Sequence, residues 1–195
     1  MVESIRTFIS FDIENDAVPE RIAEVQKTLS KTGADLKLVE PQNIHVTIRF
    51  LGNIKPHMVE EIYREMKEVQ FSPFNIKIEG IGVFPNFQYL RVIWVGVAEG
   101  SKEMKDISSQ LEPRLRKLGF PPDRKGFSPH LTIARVRSGR NKDELAKCIR
   151  ENTDQEFGTF IGKCLNLKKS DLTPKGPIYS TLKEFCPPKS STRSG

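Results

Sequence analysis

The pattern His-x-Thr-x occurs twice in this chain, as His45-Val46-Thr47-Ile48 and as His130-Leu131-Thr132-Ile133. In an extended strand, side chains two apart share a face. Each copy therefore offers an imidazole and a hydroxyl on one side, while Val46 and Ile48, or Leu131 and Ile133, face a core. An unperturbed histidine titrates near neutrality, and a pair of them is the usual equipment for moving protons in both directions. The chain has 3 histidines, and two of them sit in this pattern.

The two copies lie 85 residues apart (45 to 130), and the flanking sequence follows the same offset. Phe8–Ile13 and Val92–Val97 are β-rich runs. An amphipathic helix is predicted after each: Pro19 to Lys31, with Ile22, Val25 and Leu29 as its stripe, and Lys102 to Leu118, with Met104, Ile107, Leu111, Leu115 and Leu118. Gly33 and Gly119 stand just past the two ends, where a left-handed cap is common. The histidine strands come next, then helices over Pro56 to Val69 and Lys142 to Arg150, the second preceded by Asn141 and Glu144 in the spacing of a capping box. Strands over Asn75–Phe84 and Thr159–Leu167 close the two units, and a last strand, Ile178–Phe185, is expected to cross back to the first half.

Strand–helix–strand–helix–strand repeated twice predicts an α+β fold: a bilobal, pseudo-two-fold duplication in which antiparallel sheets line a central cleft and helices lie outside. One domain is expected over residues 1–186, with lobes of 1–86 and 87–177, the final strand 178–185 returning to the first lobe, and residues 187–195 a Pro/Ser-rich disordered tail. The pseudo-two-fold brings the two His-x-Thr strands across one cleft.

Composition narrows the class. At 37% hydrophobic and 29% charged, the 195 residues read as a globular domain with a real core. No apolar run approaches the ~20 residues that span a bilayer, and the opening residues lack the pattern of a signal peptide. Cys148, Cys164 and Cys186 are odd in number and scattered, which argues against a disulfide framework and a zinc site, and for a reducing, cytoplasmic setting. Residues 1–100 carry 11 Lys/Arg against 14 Asp/Glu, and residues 101–195 carry 20 against 11. The basic half fits a polyanionic partner such as RNA, and fits a solvated surface equally well.

Two imidazoles across a cleft suit a phosphodiester. One, neutral, takes a proton from the attacking water or hydroxyl; the other, protonated, gives one to the departing oxygen. Thr47 and Thr132 can hydrogen-bond the non-bridging phosphate oxygens. No metal or other cofactor is required. Arg135 could add a cation, but its odd offset from His130 puts it on the wrong face of a regular strand, so a bulge or turn at Ala134 would have to re-aim it. On spacing alone, a surface arginine is as good a reading.

The segments Asn43-Ile-His-Val-Thr-Ile-Arg-Phe-Leu-Gly52 and Phe127-Ser-Pro-His-Leu-Thr-Ile-Ala-Arg135 resemble the paired motifs of the 2H phosphoesterase superfamily. More closely, they resemble those of its RNA 2′,3′-cyclic phosphodiesterases, also called 2′-5′ RNA ligases. Arg6-Thr-Phe8-Ile-Ser-Phe-Asp12 and Ser170-Asp-Leu-Thr-Pro-Lys-Gly-Pro-Ile-Tyr179 are similar to the same family. The resemblance implies metal-independent opening of an RNA terminal 2′,3′-cyclic phosphate to a 2′-phosphate, with 2′-5′ ligation as the reverse. It also implies His45 as proton donor, His130 as proton acceptor, and Arg135 holding phosphate beside Thr47 and Thr132. The partner implied is an RNA with a cyclic phosphate end, tRNA fragments included, acted on by a monomer without a membrane. The rival reading is an RNA- or nucleotide-binding module without turnover.

Phe50 and Phe127 flank the motifs and are candidates to stack on a base; Phe50 reads equally as core. Trp94 reads as core, Tyr179 as facing the cleft or packing beside Pro177, and His57 as a surface residue at a helix start.

Overall fold

Alternation of apolar and polar residues makes each strand two-faced, and in the first strand, β1 (Ile5–Asp12), this division sets the plan of the molecule. Ile9 and Phe11 are fully buried in the core, while Phe8, Ser10 and Asp12 line the opposite face. The computed structural model describes residues 3–188. The remaining elements are α1 (Ala17–Ser30), β2 (Leu36–Leu38), β3 (His45–Ile54), α2 (Met58–Lys67), β4 (Phe74–Phe84), β5 (Val92–Glu99), α3 (Ser101–Lys117), β6 (His130–Val136), α4 (Lys142–Glu151), β7 (Glu156–Gly162), β8 (Leu165–Thr173) and β9 (Gly176–Phe185).

The strands form two antiparallel sheets, ordered β3-β1-β8-β9 and β2-β6-β5-β4-β7. The helices pack on their outer faces: α1 touches β6, β7 and α4, whereas α2 touches β9 and α3, and α3 touches β3. Val18, Ile22, Val25 and Leu29 bury the stripe of α1, each contributing about 1.5–3 kcal/mol by leaving water. The α+β plan of sheets with helices outside is as expected from the sequence.

The strand connections depart from the expected division at residue 86. β4, from the first half, pairs with β5 and β7 in the second sheet. β8, from the second half, pairs with β1 in the first. Each half thus lends its closing strand to the other half's sheet. The run Thr159–Leu167, read as one strand, is two: β7 ends at Gly162, the chain turns at Lys163–Cys164, and β8 starts in the other sheet. The last strand does return to the first sheet, at its edge, where its partner is β8 of the second half. β2 is a three-residue strand that no pattern announced.

Three local expectations are corrected. Cys164 and Cys186 form a disulfide, because the register that pairs Leu165 with Phe185 places the two cysteines opposite each other. Spacing could not reveal that pairing, and the disulfide removes the ground for expecting a reducing compartment. Asn141 makes no capping bond to α4; its side-chain amide donates to Thr32 O, 2.9 Å away. Trp94 is half-buried rather than core and lies over Gly82, where a Cβ would come within 2.1 Å of the ring. Of the expected tail, residues 189–195 lie outside the described residues. Among the described residues, no helix is long and apolar enough to cross a membrane.

Candidate active site

Both histidines open their strands and are held alike. His45 Nδ1–H donates to Asn43 O, 2.7 Å away, and His130 Nδ1–H donates to Ser128 O, also at 2.7 Å. A carbonyl can only accept, so the proton is fixed on Nδ1 and each Nε2 is left for chemistry. Asn43 and Ser128 are themselves related by the 85-residue offset. Asn43 in turn donates from its side chain to Pro177 O, 3.0 Å away, which ties the 3₁₀ turn Pro41–Asn43 to the start of β9.

The strands β3 and β6 approach each other, and the two imidazoles lie close enough that charge on His130 disfavours charge on His45. His45 Nε2 accepts from the Thr47 hydroxyl, 2.8 Å away. Burial holds the His45 pKa below the ordinary histidine value; the bond to Asn43 and the charge of Asp12 work against this, and Lys168 and His130 add to it.

Each imidazole also has an aromatic cradle. The His45 ring stacks on Phe8, with centroids 4.8 Å apart, and meets the edge of Tyr179 at 5.2 Å. His130 meets Phe84 at 5.0 Å and Trp94 at 6.4 Å. The sequence left Tyr179 open and misread Trp94; β-register was the missing signal, since Trp94 pairs with Thr132 and so shares its face.

Arg135 reaches the cleft through a bulge. Ile93 pairs with Ala134 but Trp94 pairs with Thr132, so β6 carries one extra residue, Ile133. Ile133 and Ala134 are both buried, which turns the next side chain to the other face. The buried Gln26 amide of α1 donates to Val39 O and Ile133 O, each at 2.8 Å, and holds the bulge. Arg135 then lies near enough to Tyr179, across the cleft, for its charge to oppose the burial that raises that phenol's pKa; Arg6 does the same.

The matching bulge in β3 falls at Ile48. It puts Phe50 in the position equivalent to Arg135. Phe50 is 63% exposed and continues the aromatic file, 5.9 Å from Phe8. Phe127 differs: it is half-buried, packs on the core and lines a depression of about 550 Å³ along α3 that contains neither histidine. His57 is exposed at the start of α2.

Beneath His45, Asp12 sits directly opposite on β1. It accepts from Ser10 Oγ at 3.1 Å and pairs with Lys168 Nζ at 2.7 Å, a bond Lys168 shares with Thr181. Among the described residues, one group of potential metal ligands gathers, Cys164, Glu184 and Cys186, away from the histidines on the β8–β9 hairpin, and its two sulfurs are bonded to each other.

The repeated site defines a class. The family model of LigT-like phosphoesterases matches the chain twice, over residues 13–94 and 95–179, one match for each half of the duplication. The RNA 2′,3′-cyclic phosphodiesterase of Methanothermobacter thermautotrophicus is 38% identical over 184 residues, covering 93% of this chain and 98% of the relative. That of Archaeoglobus fulgidus is 39% identical over 181 residues, covering 93% and 99%. The chain belongs to the LigT-like phosphoesterase family of the 2H superfamily. The fold agrees: TT0787 of Thermus thermophilus superposes with a TM-score of 0.77 at 24% identity over 95% of this chain and 100% of that one, and E. coli LigT in complex with 3′-AMP with a TM-score of 0.74 at 19% identity over 95% and 98%.

Proposed function

We propose that this protein is an RNA 2′,3′-cyclic phosphodiesterase that opens a terminal cyclic phosphate to a 2′-phosphate. The observation that carries the reading is the pair of Nδ1-anchored imidazoles, one from each sheet, with the Thr47 hydroxyl bonded to His45. His45 is the proton donor and His130 the proton acceptor. To leave a 2′-phosphate, the bond from phosphorus to the 3′-oxygen breaks. His130 Nε2 takes the proton from a water, whose oxygen bonds to phosphorus, and His45 Nε2–H protonates the departing 3′-oxygen. The negative charge of bound substrate opposes the burial that keeps His45 neutral, so substrate helps charge its own acid. Thr47, Thr132 and Arg135 hold the phosphate oxygens.

Phe50, exposed at the end of the aromatic file, stacks on the terminal base. Phe127, half-buried away from the histidines, is a weaker candidate for that role. The reverse reaction joins a cyclic end to a 5′-hydroxyl through a 2′-5′ bond. The enzyme works as a monomer on RNA ends such as those of cleaved tRNA, and a cytoplasmic place of action follows from that substrate rather than from the cysteines. The test is hydrolysis of a cyclic-ended oligoribonucleotide with and without EDTA. A 2′-phosphate product formed at the same rate in both supports the proposal; no product, or activity restored only by a divalent ion, overturns it.

A further inference from the structure

Most lysines on the first sheet and its surroundings are neutralised. Lys163 pairs with Glu14, Lys168 with Asp12, Lys169 with Asp171 and Lys183 with Glu60. The edge of the second sheet is built differently. Lys37, at the centre of edge strand β2, lies directly opposite Arg135 in the β2–β6 ladder, so the two side chains share the cleft face. Arg137 follows two residues on, its backbone N–H bonded to Asp35 O at 2.9 Å. All three side chains are exposed. Among the described residues none of them has a carboxylate within 4.0 Å, and Asp35 makes no ion pair either.

Like charges directly opposite each other in a ladder are destabilising, and among the described residues no carboxylate is ion-paired with either member. An anion lying along the edge would offset the repulsion. The innermost cation, Arg135, lies near enough to Tyr179 for its charge to be felt there, and it is assigned above to the terminal phosphate. The other two continue outward from it along the sheet edge, as the next phosphate of a strand would.

We propose that Lys37 and Arg137 form a second phosphate subsite, which holds the phosphate one nucleotide in from the cyclised end. The enzyme is thereby built for the ends of RNA strands rather than for free cyclic mononucleotides. This inference rests on the function proposed above and names its substrate class. The side chains act as positioning cations and touch no reacting atom.

The test uses binding, so that it is independent of turnover. The affinity of a labelled pentaribonucleotide ending in a 2′-phosphate is measured over a series of salt concentrations, for the intact protein and for the Lys37→Gln/Arg137→Gln double variant, with 2′-AMP as the short comparison. The pentamer Kd should rise about 10-fold or more on losing two charged contacts. Its log–log salt slope should fall by roughly 0.7 per contact, as for a single strand. The 2′-AMP affinity should change far less. An unchanged pentamer Kd and slope, or an equal loss for both ligands, would overturn the subsite. Failure of cyclic-end hydrolysis in the separate turnover assay would instead count against the function, even if the pentamer affinity shifts as expected.

Discussion

At the scale of the residue, His45 is constrained from four strands, by Asp12 on β1, Lys168 on β8, Tyr179 on β9 and His130 on β6. Its pKa is lowered chiefly by burial. If it is the acid, activity requires its charged form, so kcat/KM must fall as pH rises through a value below 6.5. Lys168→Met removes a cation that disfavours that form and frees Asp12 to favour it. Both changes raise the pKa, so the descending limb should move to higher pH; a limb that stays put would remove Lys168 from the account. A substrate whose 3′-linked group is a nitrophenolate, which leaves without a proton, separates the two roles. His45→Ala should be rescued far more than His130→Ala, and the opposite pattern would exchange acid and base.

At the scale of the element, bulges, turns and hairpins do what regular strands cannot. Gln26 is held between α1 and the bulge of β6 by two bonds. Gln26→Leu removes the side-chain donor from Val39 O and from Ile133 O, the latter keeping Val39 N–H, at a cost of about 1–3 kcal/mol, and should raise KM more than the equivalent loss of stability elsewhere, because the bulge that re-aims Arg135 loses its tie to α1. The KM ratio between Gln26→Leu and an equally destabilising change in α4 is the measurement. The β8–β9 hairpin is closed by Cys164–Cys186, 22 residues apart. A loop of that length confers ~3 kcal/mol, so Cys186→Ser should lower Tm by roughly 6–12 °C in a chain of this size, as read by calorimetry. A Tm within a degree of the parent would mean the disulfide adds nothing.

At the scale of the whole molecule, the exchange of β4 and β8 between the sheets means neither half is complete. A fragment of residues 1–86 should be unfolded by circular dichroism, whereas two independent lobes would give a folded fragment. The duplication, and with it both histidines and the class of fold, was legible because His-x-Thr-x carries its own periodicity and repeats in register with helices and strands. Arg135 was legible only as a paradox of parity, which the bulge at Ile133 resolves. What stayed hidden depends on register between distant strands: the exchange itself, Trp94 on the cleft face, and the pairing of Cys164 with Cys186. β2 was hidden for another reason, since three residues are too few to show a period, and yet it carries Lys37.

The central claim is that one histidine from each half acts on the same phosphate, and a mutant cycle tests it most directly. Single-turnover rates on a cyclic-ended RNA are compared for the parent, His45→Ala, His130→Ala and the double variant, with His57→Ala as the control. Each single change should cost about 10²–10⁴-fold, and the double should be little slower than the slower single, as for groups that act as a unit. A single variant within a few-fold of the parent rate, with its fold intact, would contradict the two-histidine site.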